Sequence, residues 1–120
     1  MQSRELADKI ARLVWEKKAE EILIMDLRQL TTMTDYFVIC SVDSEVQARA
    51  VLEHVQASLR SGMIKPWHVE GTAGSSWLLL DFVDVVLHIF RPETRRFYSL
   101  ERLWGDAEFI AFAGEKPQPG

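Results

Sequence analysis

The run WLLLDFVDVVLHIF, Trp77–Phe90, constrains the fold more than any other part of the chain. Side chains alternate across a strand, so Leu78, Leu80 and Phe82 share one side of the first arm and Trp77, Leu79 and Asp81 the other. In the second arm Val85, Leu87 and Ile89 form one side, and Val86, His88 and Phe90 the other. The short gap Val83-Asp84 predicts a hairpin. Each arm thus has one wholly apolar face and one that mixes aromatics with a polar group. An isolated hairpin is marginal in water, so these arms need more strands and a cover over the apolar face. If the two mixed faces coincide, they form an amphipathic patch of Trp77, Leu79, Asp81, His88 and Phe90; the alternative is that helices cover both faces of the sheet and all of this is core.

The remaining segments supply those layers. Residues 3–18 read as an amphipathic helix with Ser3 as its cap. Leu6, Ile10, Leu13 and Val14 lie on one face, and Lys17-Lys18 suit the negative end of its dipole. Residues 21–27 and 36–41 read as strands, rich in β-branched and aromatic types. Ser44-x-x-Gln47 is a capping box. The helix it opens carries Ala48, Val51, Leu52, Val55 and Leu59 on one face, with Gly62 as a left-handed terminator. Residues 66–70 read as a short strand and GTAGSS as a flexible loop. Pro92 and Glu93 suit the first turn of a helix, with helical turns through about Trp104. The tail AGEKPQPG reads as disordered. The order α-β-β-α-β-β-β-α predicts an α/β fold: a mixed sheet of about five strands flanked by helices. The expected domain is 1–107, with 108–120 as a flexible C-terminal tail.

A chain of 120 residues suits one domain that can bury a core without staples. Its single cysteine excludes an internal disulfide and suits a reducing cytoplasm. No apolar run reaches membrane-spanning length, and the acid-containing N-terminus has no signal-peptide pattern. A formal net charge of −4 argues against a phosphate backbone as main partner but leaves a basic protein open.

Several places in the chain could carry chemistry. Cys40-Ser41 ends an apolar strand where many enzymes place a nucleophile. No base or G-x-S-x-G elbow accompanies it, so the plain reading is a packed Cys40 and a turn-forming Ser41. His54, His68 and His88 are scattered, with no metal-ligand spacing. GTAGSS precedes a strand and lacks a phosphate-binding signature. Asp43, Asp81 and Asp84 could serve a nucleotidyltransferase-type magnesium site if they converged, though the glycine and the tight acid pair of such sites are missing. Arg91, Arg95, Arg96 and Arg102 are the candidate cluster for direct RNA binding. Their plainer reading is a solvated rim, with Arg95 or Arg96 paired to Glu93 or Glu101. No cofactor is expected.

TDYFVICS, the following S-x-x-Q, EG-x-x-x-S-x-WLLLDF-x-DVVLHIF and FYSLERLWGDA, in this order and spacing, resemble the ribosomal silencing factors (RsfS, Iojap-related) from about Ala7 to Ala107. The resemblance implies a nucleotidyltransferase-like fold without its catalysis. It implies binding to the large ribosomal subunit through ribosomal protein fourteen, which blocks joining of the small subunit and represses translation when nutrients run short. A role in late large-subunit assembly, a homodimer when free and little direct nucleic-acid binding are also implied. Pattern and resemblance together nominate Trp77, Leu79, Asp81, His88, Phe90, Tyr98, Leu100, Glu101 and Trp104 as the partner-binding surface. Trp77 and Tyr98 are its expected anchors, and Asp81 and Glu101 are expected to meet cations on the partner.

Overall fold

The structure is a computed structural model and describes residues 1–71 and 74–112. The AGEKPQPG tail and the Thr72-Ala73 centre of the GTAGSS loop lie outside the described residues, and so do the readings made of them. The elements are α1 (Ser3–Glu16), β1 (Glu20–Asp26), β2 (Tyr36–Ser41), α2 (Glu45–Ser61), β3 (His68–Glu70), β4 (Trp77–Asp81), β5 (Val85–Phe90), α3 (Pro92–Tyr98), α4 (Leu100–Leu103) and β6 (Glu108–Ala111). The sheet has six strands in the order β3-β4-β5-β2-β1-β6. Its central β2–β5 pair is parallel and the other pairs are antiparallel.

The expected hairpin forms, with Trp77 opposite Phe90 and Leu79 opposite His88. Paired residues point the same way, so the apolar sides coincide and so do the mixed ones. α1 packs across β1, β2 and β5, and α2 packs against α1 and β4. Beneath them lies the main core. It takes Leu6, Ile10, Leu13 and Val14 from α1, Val51, Val55 and Leu59 from α2, and Leu78, Leu80, Leu87 and Ile89 from the hairpin. Tyr36, Val38 and Cys40 reach the same core from β2, so the end of TDYFVICS packs as its composition suggests. A smaller cluster of Met25, Leu27, Ile39, Phe90 and Leu100 fills the other face, where the cover is the short α3–α4 corner.

Several local expectations change. The sixth strand, β6, lies within the segment read as tail and pairs antiparallel with β1. The ordered domain therefore continues past Ala107. Four residues carry too little periodicity to show locally; the exposed edge of β1 makes this strand. Gln2, not Ser3, is the N-cap of α1, and no side chain bonds there. Gly62 ends α2 with φ −94°, and the left-handed residue is Met63, at φ 65°. Met63 N–H donates to the Arg60 carbonyl and Ile64 N–H to the Leu59 carbonyl. This double bond pattern is a Schellman end, with Ile64 folded back on the core. α1 ends the same way around Lys18, at φ 67°.

The capping box is also modified. Ser44 Oγ accepts from Gln47 N–H as expected, but Gln47 Oε1 accepts from Asp43 N–H at 2.7 Å. Gln47 Nε2 donates to the Lys17 and Lys18 carbonyls at 3.2 and 3.0 Å. One side chain thus caps the start of α2 and satisfies carbonyls left open at the end of α1.

Candidate partner-binding surface

The hairpin and the α3–α4 corner build this surface. Pro92 fixes the first turn of α3, and seven residues later the chain turns through Ser99, in the left-handed region at φ 44°, into α4. The corner lies against the mixed face of the hairpin. Trp77 is the hub. Its ring lies 4.7 Å from Tyr98, 4.9 Å from Phe90 and 5.8 Å from His88, centroid to centroid. Phe37, from β2, sits edge-on to both His88 and Trp104. Aromatic pairs at these separations gain from geometry as well as burial.

Burial divides the nine nominated residues into levels. Tyr98 is 50% exposed and stands at the surface. Trp77, Leu79, Asp81, Glu101 and Trp104 are half-buried. His88, Phe90 and Leu100 are buried, which corrects their assignment to the contact surface: they are its floor. Phe97 and Leu103, missed in the sequence, are 80% and 71% exposed on the same corner. Phe97 is ring-to-ring with Tyr98 at 5.1 Å. The available signal was the brevity of the α3–α4 segment: two short helices cannot bury every apolar residue in FYSLERLW.

His88 has a specific job in the floor. Trp77 Nε1–H donates to His88 Nδ1 at 3.1 Å. An indole can only donate, so Nδ1 must accept and the neutral ring carries its proton on Nε2. That Nε2 is buried without a hydrogen-bond partner among the described residues. Burial pushes the imidazole down to about 3, which keeps it neutral at physiological pH.

The two acids expected to meet a partner are engaged internally. Asp81 Oδ1 accepts from Val83 N–H at 2.7 Å and shapes the hairpin turn. Glu101 Oε2 lies 3.5 Å from Arg95 Nε. Arg95 is buried, which corrects its reading as rim, and it donates to the Ser41 hydroxyl at 2.8 Å. Ser41 is thus a structural acceptor.

The magnesium-type arrangement is not assembled. Asp43 follows β2, whereas Asp84 precedes β5 and binds the start of β2 through its carbonyl. β2 and β5 run parallel over six residues, so these acids sit at opposite ends of strands about 20 Å long. No group of three metal-capable side chains occurs among the described residues.

The six-stranded scaffold thus carries an exposed aromatic corner at one face. The family model described as "Ribosomal silencing factor during starvation" matches residues 1–119. The chain belongs to the ribosomal silencing factor family. A ribosomal silencing factor from Halalkalibacterium halodurans is 32% identical, covering 95% of this chain and 97% of that one. A crystal structure of a Chromobacterium violaceum protein superposes with a TM-score of 0.82 at 30% identity, covering 94% of this chain and 93% of that one. A mouse protein named for mitochondrial assembly of the ribosomal large subunit is 31% identical, over 81% of this chain and 44% of its own length. The α/β fold expected from the sequence is therefore the fold of the silencing factors, and the family itself is ribosome-associated.

Proposed function

We propose that this silencing factor binds the large ribosomal subunit through ribosomal protein fourteen and sterically blocks joining of the small subunit. Translation is thereby held down when nutrients are short. Steric exclusion needs a site and bulk, not a reaction, so this reading requires neither catalysis nor a cofactor; the ribosome it acts on places it in the cytoplasm. The observation that carries this reading is the exposed α3–α4 corner, where Tyr98 rests on Trp77, Phe97 lies against Tyr98, and Leu103 is exposed on the neighbouring helix. It is an exposed aromatic and aliphatic cluster of the composition that centres protein interfaces. The net charge of −4 suits attraction to a basic ribosomal protein and discourages spread over rRNA. The free protein is a homodimer in this reading. A part in late large-subunit assembly is the second reading, favoured by the name of the mouse relative.

The test mixes purified protein with isolated large subunits, adds small subunits and follows joining by sedimentation. Wild type should block joining. Tyr98→Ala should retain its fold by circular dichroism and lose about 30-fold or more in affinity, as truncation of an interface anchor does. A wild-type protein that neither binds large subunits nor slows joining would overturn the proposal.

A further inference from the structure

Arg95 is the only buried lysine or arginine among the described residues. Its Nη1 donates to the Glu21 carbonyl at 2.7 Å and to Ser41 Oγ at 2.8 Å, and its Nε faces Glu101 at 3.5 Å. The Glu21 carbonyl is presented by a break in the β1–β2 register. Glu20 pairs with Ser41 and Leu23 with Ile39, and Glu21 between them takes φ 50°. One guanidinium therefore joins the irregular start of β1, the end of β2, α3 and α4. A cavity of about 240 Å³ adjoins it, lined in part by Glu21, Ser41, Ser99 and Glu101. Leu100 packs the inner side of the corner, but apolar packing does not fill this side of it, and directional bonds span the gap. The joint also includes the left-handed Ser99, whose N–H donates to the Arg95 carbonyl.

Two and three positions beyond Arg95 on α3 stand Phe97 and Tyr98. We propose that Arg95 is the positioning residue of the binding surface: it touches no partner but fixes the α3–α4 corner so that Tyr98 rests on Trp77 and Phe97 projects. This rests on reading that surface as the contact face. The fork of an arginine suits the task because its donors are rigidly placed, unlike those of lysine. A buried polar contact of this kind gives orientation more than stability, since apolar replacements of similar size are often tolerated.

Two measurements test it, on Arg95→Met, Arg95→Lys and the milder Ser41→Ala. The first is amide hydrogen exchange of the free protein. In Arg95→Met, exchange in α3 and α4 should rise about tenfold or more, while α1, β2 and β5 stay protected. The second is large-subunit affinity in a double-mutant cycle with Tyr98→Ala. Arg95→Met and Tyr98→Ala should each weaken binding about 30-fold, and the pair about as much as either alone, because Arg95 acts through Tyr98. Arg95→Lys and Ser41→Ala should lie between wild type and Arg95→Met in both measurements. Unchanged exchange in the corner overturns the inference. So does loosening spread evenly over the sheet, or losses that multiply to about 1,000-fold, the mark of independent sites. If wild type does not bind large subunits, the contact-face reading falls, and exchange alone still decides whether Arg95 sets the corner.

Discussion

At the scale of single residues, burial makes His88 refuse a proton it would take up in water, and the hairpin turn holds Val83 in a backbone conformation it disfavours. His88 is a neutral imidazole beneath the aromatic surface, with a folded value of about 3 against an ordinary value of 6.5. Between those values the unfolded chain holds a proton that the folded chain refuses, so acid favours unfolding. The contribution of His88 is complete above pH 6.5 and declines below it, by about 1.4 kcal/mol per pH unit at full slope. His88→Gln removes the titration and can still accept from Trp77. Urea unfolding at pH 7.5 and pH 5 should show a smaller loss in this variant than in wild type. Parallel losses would mean that His88 is not held neutral. Val83 is the other case. It sits at φ 74° in the hairpin turn, a region that a β-branched residue rarely enters. Its side chain is largely in solvent, so little burial is lost on truncation. Val83→Gly should therefore stabilise the protein by about 1 kcal/mol, raising Tm by about 4 °C in thermal scans. An unchanged or lower Tm would show that the turn is not strained.

At the scale of elements, the two long helices are linked through polar ends as well as apolar faces. Gln47 uses its oxygen on Asp43 N–H and its nitrogen on the Lys17 and Lys18 carbonyls just beyond α1. Gln47→Ala should cost about 1–2 kcal/mol in chemical unfolding. Gln47→Glu separates the two functions. A glutamate serves an ordinary capping box as well as glutamine does, but here it would turn a carboxylate oxygen toward two carbonyl oxygens. It should destabilise as much as alanine; a glutamate variant as stable as wild type would show that the contact with α1 contributes nothing. This double use marks the boundary of what the sequence makes legible. Ser44-x-x-Gln47 announced the helix start because its signal is local, and alternation in Trp77–Phe90 announced the hairpin and its two faces for the same reason. β6 was invisible because Glu108–Ala111 becomes a strand only against β1. Gly62 ends α2 as read, but the left-handed residue is Met63, because glycine signals an available left-handed conformation, not its use. The site divided similarly. The mixed face could be named from its residues. Its sorting into floor and surface depended on where α3–α4 lies, and that depends on Arg95 reaching Glu21, 74 residues away.

At the scale of the whole molecule, the distribution of charge separates a protein partner from an RNA partner. Of the four arginines considered as an RNA-binding cluster, Arg95 is buried and bonded within the fold, which leaves Arg91, Arg96 and Arg102. Glu93 and Asp43 line the same cavity as Arg91 and Arg96, so the positive field there is diluted. Phosphate binding would make affinity fall steeply with salt, because each neutralised phosphate releases counterions. A protein making six to ten phosphate contacts loses about 10³–10⁵ in affinity between 50 and 200 mM salt. A contact centred on Tyr98, Phe97 and Trp77 buries apolar area instead, and salt does not weaken that term. Affinity for large subunits, measured from 50 to 200 mM monovalent salt at fixed magnesium, should therefore fall by less than about tenfold, the modest loss expected when charge only steers the encounter. Tyr98→Ala should lower affinity at every salt concentration without changing the slope. A fall of about a thousandfold in wild type would assign the binding to rRNA, and the aromatic corner would then need another role.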